Sequence, residues 1–300
     1  MTVDVVCAGP VFLDLTFEGL EALPEAGREH YARELHETPG GAGITAVGLA
    51  RLGLRAAVAA PLGDDVEGTI VRRLLEAEGV TCAGSTAERT PVTVVLPVEQ
   101  ERAFVTYEPP ALLDRSLFER LRPRAAIVGI DQLHVVPADT RAYVVVGDRD
   151  AERYAGALPE NLGRARALLA NRFEAEQLTG ESDPEVAALR LAERVGVAVV
   201  SCGGDGAVAA SDKKVFRSAA PVIAVRDTTG AGDLLAAAYV WGDLGGLPLT
   251  ERLRRAVVYA ALSVQAATGV AGAATRDELE RALAELDPAI MQTASAKEGA

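Results

Sequence analysis

The string DTTGAGD at residues 227–233 combines two carboxylates with two closely spaced glycines. It follows a β-branched run at residues 222–225 that predicts a strand, and it precedes an apolar run at residues 234–241 that predicts a helix. Glycines at such a helix start let backbone N–H groups converge where the helix dipole favours anions. Asp233 beside that anion hole could accept the proton of an attacking hydroxyl while the hole holds a phosphoryl group. The same residues are also typical of an ordinary helix start that Asp233 caps, with no role in catalysis.

The full string is more specific than its glycines, because it matches the DTxGAGD signature of ribokinase-like, or PfkB-type, carbohydrate kinases. The chain resembles that family over residues 3–286. The resemblance implies an ATP- and magnesium-dependent kinase that transfers the γ-phosphoryl group to a hydroxyl of a sugar or sugar-like alcohol. In that family likeness Asp233 is the catalytic base, and Gly230, Ala231 and Gly232 form the anion hole.

The acceptor side of this site is predicted from segments nearer the amino terminus. Residues 39–53 are similar to the family's GGxxxN segment, with glycines at Gly40 and Gly41 and with Thr45 where sugar kinases commonly carry asparagine. Thr45 can donate and accept a hydrogen bond but reaches less far than asparagine. Asp14 matches the family aspartate that binds acceptor hydroxyls. Its position is also consistent with an ordinary surface turn residue. Asp131, at the end of a predicted strand, is a second candidate carboxylate for the acceptor, or a simple strand-end charge.

The nucleotide side is predicted from two further motifs. Asn171 and Glu174 match the family's NxxE motif, which helps to place magnesium and the phosphates, and the same spacing is also a helix capping box. Ser201, Gly203 and Gly206 resemble the family's TxGxxG nucleotide loop, with serine in place of threonine. Gly232 is expected to contact the nucleotide as well. Magnesium would keep several waters and bind ATP oxygens, so no histidine or cysteine cage is required.

A monovalent cation such as K⁺ is a further expectation that comes from the resemblance alone. The corresponding positions are Asp227, the carbonyl of Thr229, and backbone near Ala267 and Gly272. The last two lie in residues 256–272, a helical stretch followed by glycines, where relatives form the adenine pocket.

Positioning these residues requires alternating strands and helices. Short apolar runs at residues 3–8, 56–60, 125–130, 142–146, 167–170 and 195–201 predict buried parallel strands, and helical stretches such as residues 43–52, 66–78 and 184–195 lie between them. This pattern predicts an α/β fold, a ribokinase-like three-layer αβα arrangement with a mostly parallel, doubly wound sheet. Residues 11–38 and 90–107 show β alternation without helices and predict a small β-sheet lid, with 90–107 as a hairpin turning at residues 97–101. We expect one domain over residues 1–290 and a flexible tail over residues 291–300.

The composition excludes several classes of protein. A formal net charge of −13, with lysine only at Lys213, Lys214 and Lys297, argues against nucleic acid as a partner. No GxxxxGK[ST] string is present, which excludes a Walker-type ATPase, and no GxGxxG opens a helix after the first strand, which disfavours a dinucleotide oxidoreductase. The apolar runs are too short for a membrane span, and the amino terminus does not read as a signal peptide. Three dispersed cysteines fit the cytoplasm.

Two alternatives to a sugar kinase remain open at this point. A nucleoside kinase of the same fold needs a surface on which a base can stack, and Phe12, Phe17, Phe104 and Tyr107 in the lid segments are candidates for it. A non-catalytic small-molecule binding protein is favoured only by the departures at Ala42 and Thr45. Because lid sheets expose strand edges, we also expect a homodimer formed through the lid.

Overall fold

The middle strands of the main sheet have residues that are buried on both faces. The computed structural model describes residues 3–20, 22–98, 101–109 and 113–297. Along β1, Val5 and Cys7 enter one apolar core and Val6 enters the other, because successive side chains of a strand point to opposite faces. The two cores therefore lie on either side of one sheet, as an αβα sandwich requires.

Strands and helices alternate through the middle of the described chain, over residues 125–201, whereas strands cluster before that part and helices after it. The strands are β1 Val5–Cys7, β2 Leu13–Glu18, β3 Glu34–Pro39, β4 Ala56–Val58, β5 Leu62–Gly63, β6 Thr81–Cys82, β7 Thr86–Ala87, β8 Val92–Val98, β9 Glu101–Tyr107, β10 Ala125–Val128, β11 Arg141–Val145, β12 Ala165–Asn171, β13 Val197–Ser201, β14 Ala207–Ser211 and β15 Lys214–Ser218. The α-helices are α1 Ala42–Arg51, α2 Val66–Ala77, α3 Arg115–Leu121, α4 Asp148–Arg153, α5 Arg172–Thr179, α6 Pro184–Val195, α7 Ala231–Leu244, α8 Leu249–Ser263, α9 Gly269–Gly272 and α10 Arg276–Lys297. Short 3₁₀ helices span Ile130–Val135, Glu160–Arg164 and Gly203–Asp205.

The main sheet has the order β15-β14-β13-β12-β11-β10-β1-β4-β6. Its pairings are parallel from β6 to β13 and antiparallel from β13 to β15. The predicted α/β fold with a mostly parallel sheet is confirmed, and each predicted strand from residues 3–8 to 195–201 has a counterpart. The antiparallel end was not predicted. Among the described helices, none is long and apolar enough to cross a membrane.

The predicted lid is a separate four-stranded sheet with the order β3-β2-β8-β9. Asp14 pairs in register with Thr93, which pairs with Thr106, so these three side chains share one face. By the same alternation Phe104 and Arg102 lie on that face, whereas Phe17 and Tyr107 lie on the opposite one. Of the predicted hairpin turn, residues 99 and 100 lie outside the described residues.

The predicted strand at residues 222–225 is wrong. The chain leaves the sheet after β15, and residues 219–229 form no strand. Pro221 lacks an N–H donor for a strand ladder, and Val222 and Val225 are exposed. At the carboxyl end, α10 extends to Lys297, residues 298–300 lie outside the described part, and the flexible tail over 291–300 stays a prediction.

Candidate active site

The start of α7 has the open helix-terminal geometry that the sequence predicts. Gly230 is its N-cap residue in the left-handed region (φ 78°), and a Cβ there would lie 2.9 Å from the Ile44 side chain. The Ala231 N–H donates to the Thr228 carbonyl at 3.2 Å. At Gly232 an added Cβ would meet no atom within 4 Å. The backbone at Gly232 therefore borders open space, where the helix dipole favours an anion.

Asp233 in the first turn of α7 is held by a residue distant in sequence. Thr45 in α1 donates from Oγ1 to Asp233 Oδ1 at 3.0 Å. Burial raises the pKa of Asp233 to about 6, although the hydrogen bond from Thr45 opposes that shift. Thr45 is thus bonded to the candidate base itself. A carboxylate with its pKa near neutrality is suited to accept a proton from an alcohol.

Asp14 is a second buried carboxylate at the same site. Burial, followed by the negative charge of Asp233, raises the pKa of Asp14 to about 7 against a hydrogen bond from Thr93. The carboxylate lies directly over Gly40, since a Cβ at Gly40 would be 2.2 Å from Asp14 Oδ1. Gly40 is therefore needed for this placement, because any side chain there would displace the carboxylate.

Gly41 is the second glycine that the backbone requires. It is the N-cap of α1 with φ 57° and ψ −128°, and a Cβ would lie 2.5 Å from the Pro10 carbonyl oxygen. The same Cβ would approach the ring of Phe12 at 3.1 Å. Gly40, Gly41, Phe12 and Asp14 are thus brought together where β2 leaves the main body, and α1 carries Thr45 inward from that point.

A further cavity begins at Gly9 and Pro10 and is lined by residues of the main body and of the segments that flank the lid strands. Its volume is about 300 Å³, and its polar lining includes Glu108, Gln132 and Arg149. Arg149 donates from Nη1 to Glu108 Oε2 at 2.6 Å. The predicted Asp131 is not among the lining residues. Its carboxylate accepts hydrogen bonds from Arg153 and Tyr154, while its neighbour Gln132 contributes to the wall.

Glu174 and Asn171 form the capping box that their spacing predicts. Asn171 Oδ1 accepts from the Glu174 N–H at 2.8 Å, and Glu174 Oε2 accepts from the Asn171 N–H at 2.7 Å. Both residues also line a cavity that includes Gly232 and Asp233. Burial raises the pKa of Glu174 to about 7, opposed by the Asn171 backbone hydrogen bond and reinforced by the charges of Asp148, Asp233 and Asp150. This accumulation of negative charge fits a hydrated Mg²⁺ with phosphate oxygens.

A larger, mainly apolar cavity of about 370 Å³ opens on the other side of Gly232. Its glycine-rich rim contains Ser201, Gly203 and Gly206, the residues that resemble a nucleotide loop in the sequence. Its apolar walls come from α8 and from the segment that was predicted as a strand, through residues that include Val222, Ile223, Val225, Val257 and Val264. The β-branched run at residues 222–225 therefore forms part of a cavity wall that suits a flat aromatic base.

The positions expected to bind a monovalent cation have other partners. Asp227 Oδ1 accepts from the Thr229 N–H at 2.7 Å and pairs with Arg102 Nη2 of the lid at 2.5 Å. The Thr229 carbonyl packs against Gly269, where an added Cβ would lie 2.7 Å from it. Gly272 packs more closely still on the Ser263 carbonyl, where an added Cβ would lie 2.2 Å from the oxygen. Ala267 lies in the segment between α8 and α9. Because a guanidinium already neutralises the Asp227 carboxylate, these residues do not fit a further cation there.

Comparison with known proteins places this fold and site in a class. The pattern of the pfkB family of carbohydrate kinases matches residues 3–125 and 138–276. The chain belongs to that family, and it is a phosphotransferase with an alcohol group as acceptor.

The chain is similar to 2-dehydro-3-deoxygluconokinase of Bacillus subtilis, with 27% identity over 267 residues, 78% of this chain and 82% of the relative. It is also similar to a nucleoside kinase of Methanothermobacter thermautotrophicus, with 25% identity over 282 residues, 87% and 89% of the two chains. The Arabidopsis thaliana ribokinase structure with ribose and ATP has the same fold, with a TM-score of 0.80, 22% identity, and coverage of 94% of this chain and 99% of that one.

Three features of the site were not found from the sequence. Arg102 contacts the DTTGAGD segment from the lid, Thr93 contacts Asp14 across adjacent strands, and Gln132 lines the cavity that contains Glu108 and Arg149. Arg102 had one available signal, because it is the single arginine in an otherwise apolar and hydroxyl-bearing lid strand, residues 102–107.

Proposed function

We propose that Asp233 is the base of this kinase and that the γ-phosphoryl group of ATP is transferred at the start of α7 to a hydroxyl of a sugar or sugar-like alcohol. The observation that carries the proposal is the position of Asp233. It lines the cavity that also contains Gly232 and Glu174, and its charge acts on Asp14 of the lid. Asp233 thus borders the space at Gly232 and lies near Asp14, the proposed acceptor-binding carboxylate, as an in-line transfer needs.

The reaction then requires few steps from the protein. The acceptor hydroxyl gives its proton to the Asp233 carboxylate as its oxygen forms a bond to the γ-phosphorus, and the bond from that phosphorus to the β,γ-bridging oxygen breaks to release ADP. The backbone N–H groups of Gly230 and Gly232, on either side of Ala231, stabilise the negative charge that develops on the transferred group. Asp14 orients the acceptor by accepting hydrogen bonds from its hydroxyls.

Glu174 and Asn171 are proposed to hold Mg²⁺ and the phosphates. Bound Mg²⁺ supplies charge neutralisation to the phosphate oxygens. Glu174 is buried beside Asp233 and near Asp148, so it has an unusually high free-energy cost of ionisation that a cation would lower. The glycine rim at Gly203 and Gly206 and the apolar cavity beyond it are proposed to take the nucleotide, with the base against Val222 and Val225.

The cavity lined by Glu108, Gln132 and Arg149 is proposed to take part of the acceptor, which would then be small and polar. Its lining pairs a guanidinium, Arg149, with the Glu108 carboxylate, and Gln132 adds an amide. Such a wall can bind hydroxyls, and a carboxylate on the substrate could compete with Glu108 for Arg149. Sugars and sugar acids are therefore the first acceptors to test. The relative from Bacillus subtilis, a 2-dehydro-3-deoxygluconokinase, supports including sugar acids.

A nucleoside acceptor is the second candidate. Phe104 lies on the same lid face as Asp14 and is 55% exposed, so it offers a ring on which a base could stack. Phe17 and Tyr107 lie on the other face and are not suited to that role. The nucleoside kinase relative supports testing this class. Loss of nucleoside turnover in Phe104→Ala, with sugars inactive throughout, would identify it.

The experiment measures ADP release from Mg-ATP across pentoses, hexoses, sugar phosphates, sugar acids and nucleosides. Wild-type protein is run beside Asp233→Asn, with ATP binding measured for both. We expect one acceptor class to stand out and to fail with the variant. Acceptor-dependent release that is equal in the two proteins would reject Asp233 as the base. No acceptor-dependent release from either protein, with ATP bound by both, would favour the non-catalytic binding alternative.

A homodimer through the lid is also proposed. The lid face opposite Asp14 exposes Leu35, Val105 and Tyr107, which are 52%, 65% and 52% exposed. Pairing two such faces across a two-fold axis would bury them and cover the sheet edges. Analytical ultracentrifugation of wild type and Val105→Glu tests this: we expect a dimer that the variant dissociates, and a wild-type monomer would contradict it.

The cytoplasm is the proposed compartment. Cys7, Cys82 and Cys202 are all free thiols, which fits a reducing environment and the availability of ATP. Cell fractionation with an antibody against the native protein would test it, and recovery in an extracellular fraction would contradict it.

A further inference from the structure

Two ion pairs join the lid to adjacent residues at the start of the DTTGAGD segment. Glu18 of β2 pairs with Arg226, and Arg102 of β9 pairs with Asp227. The lid thus contributes the anion of one pair and the cation of the other, and their partners are adjacent residues of the main body. The two pairs differ in burial: the side chains of Arg226 and Glu18 are 52% and 31% exposed, whereas those of Arg102 and Asp227 are 13% and 7% exposed.

This difference in burial predicts a difference in importance. An exposed ion pair contributes little, because water and salt screen it. A buried ion pair that loses one partner leaves a charge without compensation, which is costly. Arg102 is therefore the contact on which the arrangement of this junction depends, and the neighbouring Arg226 provides a matched control.

The contacts of Arg102 reach the turn that precedes α7. Besides its pair with Asp227, Arg102 donates from Nη1 to Thr228 Oγ1. Asp227 in turn fixes the backbone by accepting from the Thr229 N–H at 2.7 Å. From behind, the N–H groups of Arg226 and Asp227 donate to the Val264 carbonyl at 2.7 and 3.1 Å. The turn is thus tied to α8 on one side and to the lid on the other.

We propose that Arg102 is a positioning residue that holds the anion-binding turn in place only while the lid lies against the body. The contacts exist only in that arrangement, because Arg102 belongs to the lid sheet and Asp227 to the body. When the lid closes over the acceptor, it thereby also completes the phosphoryl site. This coupling limits transfer of the γ-phosphoryl group to water. This inference rests on the proposed transfer at the start of α7.

A second consequence concerns the monovalent cation. The guanidinium of Arg102 supplies the positive charge beside Asp227 from within the chain. K⁺ should therefore leave the wild-type rate nearly unchanged, within about twofold. A wild-type enzyme that needs K⁺ for turnover would overturn this part of the inference.

The kinetic test compares Arg102→Met with Arg226→Met, since methionine keeps most of the aliphatic stem and removes the charge. For Arg102→Met we expect kcat to fall roughly 30-fold with KM for ATP within about threefold, and for Arg226→Met a change within about twofold. Free guanidinium should restore part of the rate to Arg102→Ala and none to Arg226→Ala. Equal losses of kcat in the two methionine variants would overturn the proposal. A loss of kcat in Arg102→Met that is explained by a lower melting temperature or by weaker ATP binding would overturn it as well.

A measurement without turnover separates this inference from the proposed function. Hydrogen exchange at the amides of residues 228–232 should be faster in Arg102→Met than in wild type and Arg226→Met, while exchange in α8 stays the same. Unchanged exchange at residues 228–232 would contradict the role of Arg102. Failure of every acceptor with wild type, or equal activity of Asp233→Asn, would instead reject the proposed function.

Discussion

Helix α7 carries one aspartate in its first turn and another in its last, and the two have opposite environments. Asp243 accepts hydrogen bonds from Tyr143, Arg166 and Arg252, with Arg166 Nη2 at 3.0 Å from Oδ1. Burial disfavours its ionisation, but the hydrogen bonds from Arg166 and Tyr143 and the charge of Arg252 outweigh that cost and lower its pKa. Asp233 has a single hydroxyl donor, Thr45, and its pKa is raised to about 6.

The helix dipole alone would predict the reverse. A carboxylate is favoured at a helix N-terminus, where Asp233 lies, and disfavoured at the C-terminus, where Asp243 lies. The difference is therefore set by the side chains around each carboxylate. Two arginines keep Asp243 ionised in a structural role. Asp233 has no cation partner among the described residues and retains the capacity to take a proton.

Removing the carboxylate of Asp243 should have the largest effect. Asp243→Ala leaves Arg252, whose side chain is 10% exposed, without its anionic partner, so we expect a loss of about 3–5 kcal/mol in the free energy of unfolding. Urea denaturation measures this. The rate per folded molecule should change little, and a loss of activity in fully folded Asp243→Ala would show that the two ends of α7 do not have separate roles.

Asp233→Asn should give the opposite result. We expect kcat to fall roughly 100-fold or more, about 2.7 kcal/mol in activation free energy, because asparagine cannot accept the proton. Its melting temperature should equal or exceed that of wild type, since a desolvated charge has been removed. A stability loss as large as that of Asp243→Ala would contradict the contrast between the two residues.

Asp14 extends the comparison to the stability of the lid region. Its pKa, about 7 in the folded protein against 3.8 ordinarily, means that the folded state binds the proton more tightly, so this group lowers stability as pH rises from about 4 through 7. Asp14→Asn should therefore raise the free energy of unfolding at pH 8 by roughly 2–4 kcal/mol and have no stabilising effect at pH 4. The same variant should lose acceptor turnover. Denaturation at both pH values tests it, and equal effects at pH 4 and 8 would contradict the raised pKa.

The sequence was informative where one short segment determines both structure and chemistry. Gly230 at the start of α7 and the capping box of Asn171 and Glu174 each follow from local backbone requirements. Gly40 was singled out by resemblance alone, and its packing under Asp14 joins two distant segments. Contacts across the two sheets were not predictable in this way. Strand alternation assigns Arg102 to a lid face but does not say which body residue it meets, and β-branched residues at 222–225 fit a cavity wall as well as a strand.

Thr45 should give the smallest effect. Its hydroxyl hydrogen bond lowers the pKa of Asp233 against the effect of burial, so Thr45→Val should raise that pKa, and the acid limb of kcat/KM, which requires ionised Asp233, should move from near pH 6 to higher pH. We expect a shift of about half a pH unit and a rate within roughly threefold of wild type at pH 8. Thr45→Ser keeps the donor and is the control. If Thr45→Val leaves the acid limb in place but raises KM for the acceptor, Thr45 acts on the substrate, as the family's asparagine does, and Asp233 owes its pKa to burial alone.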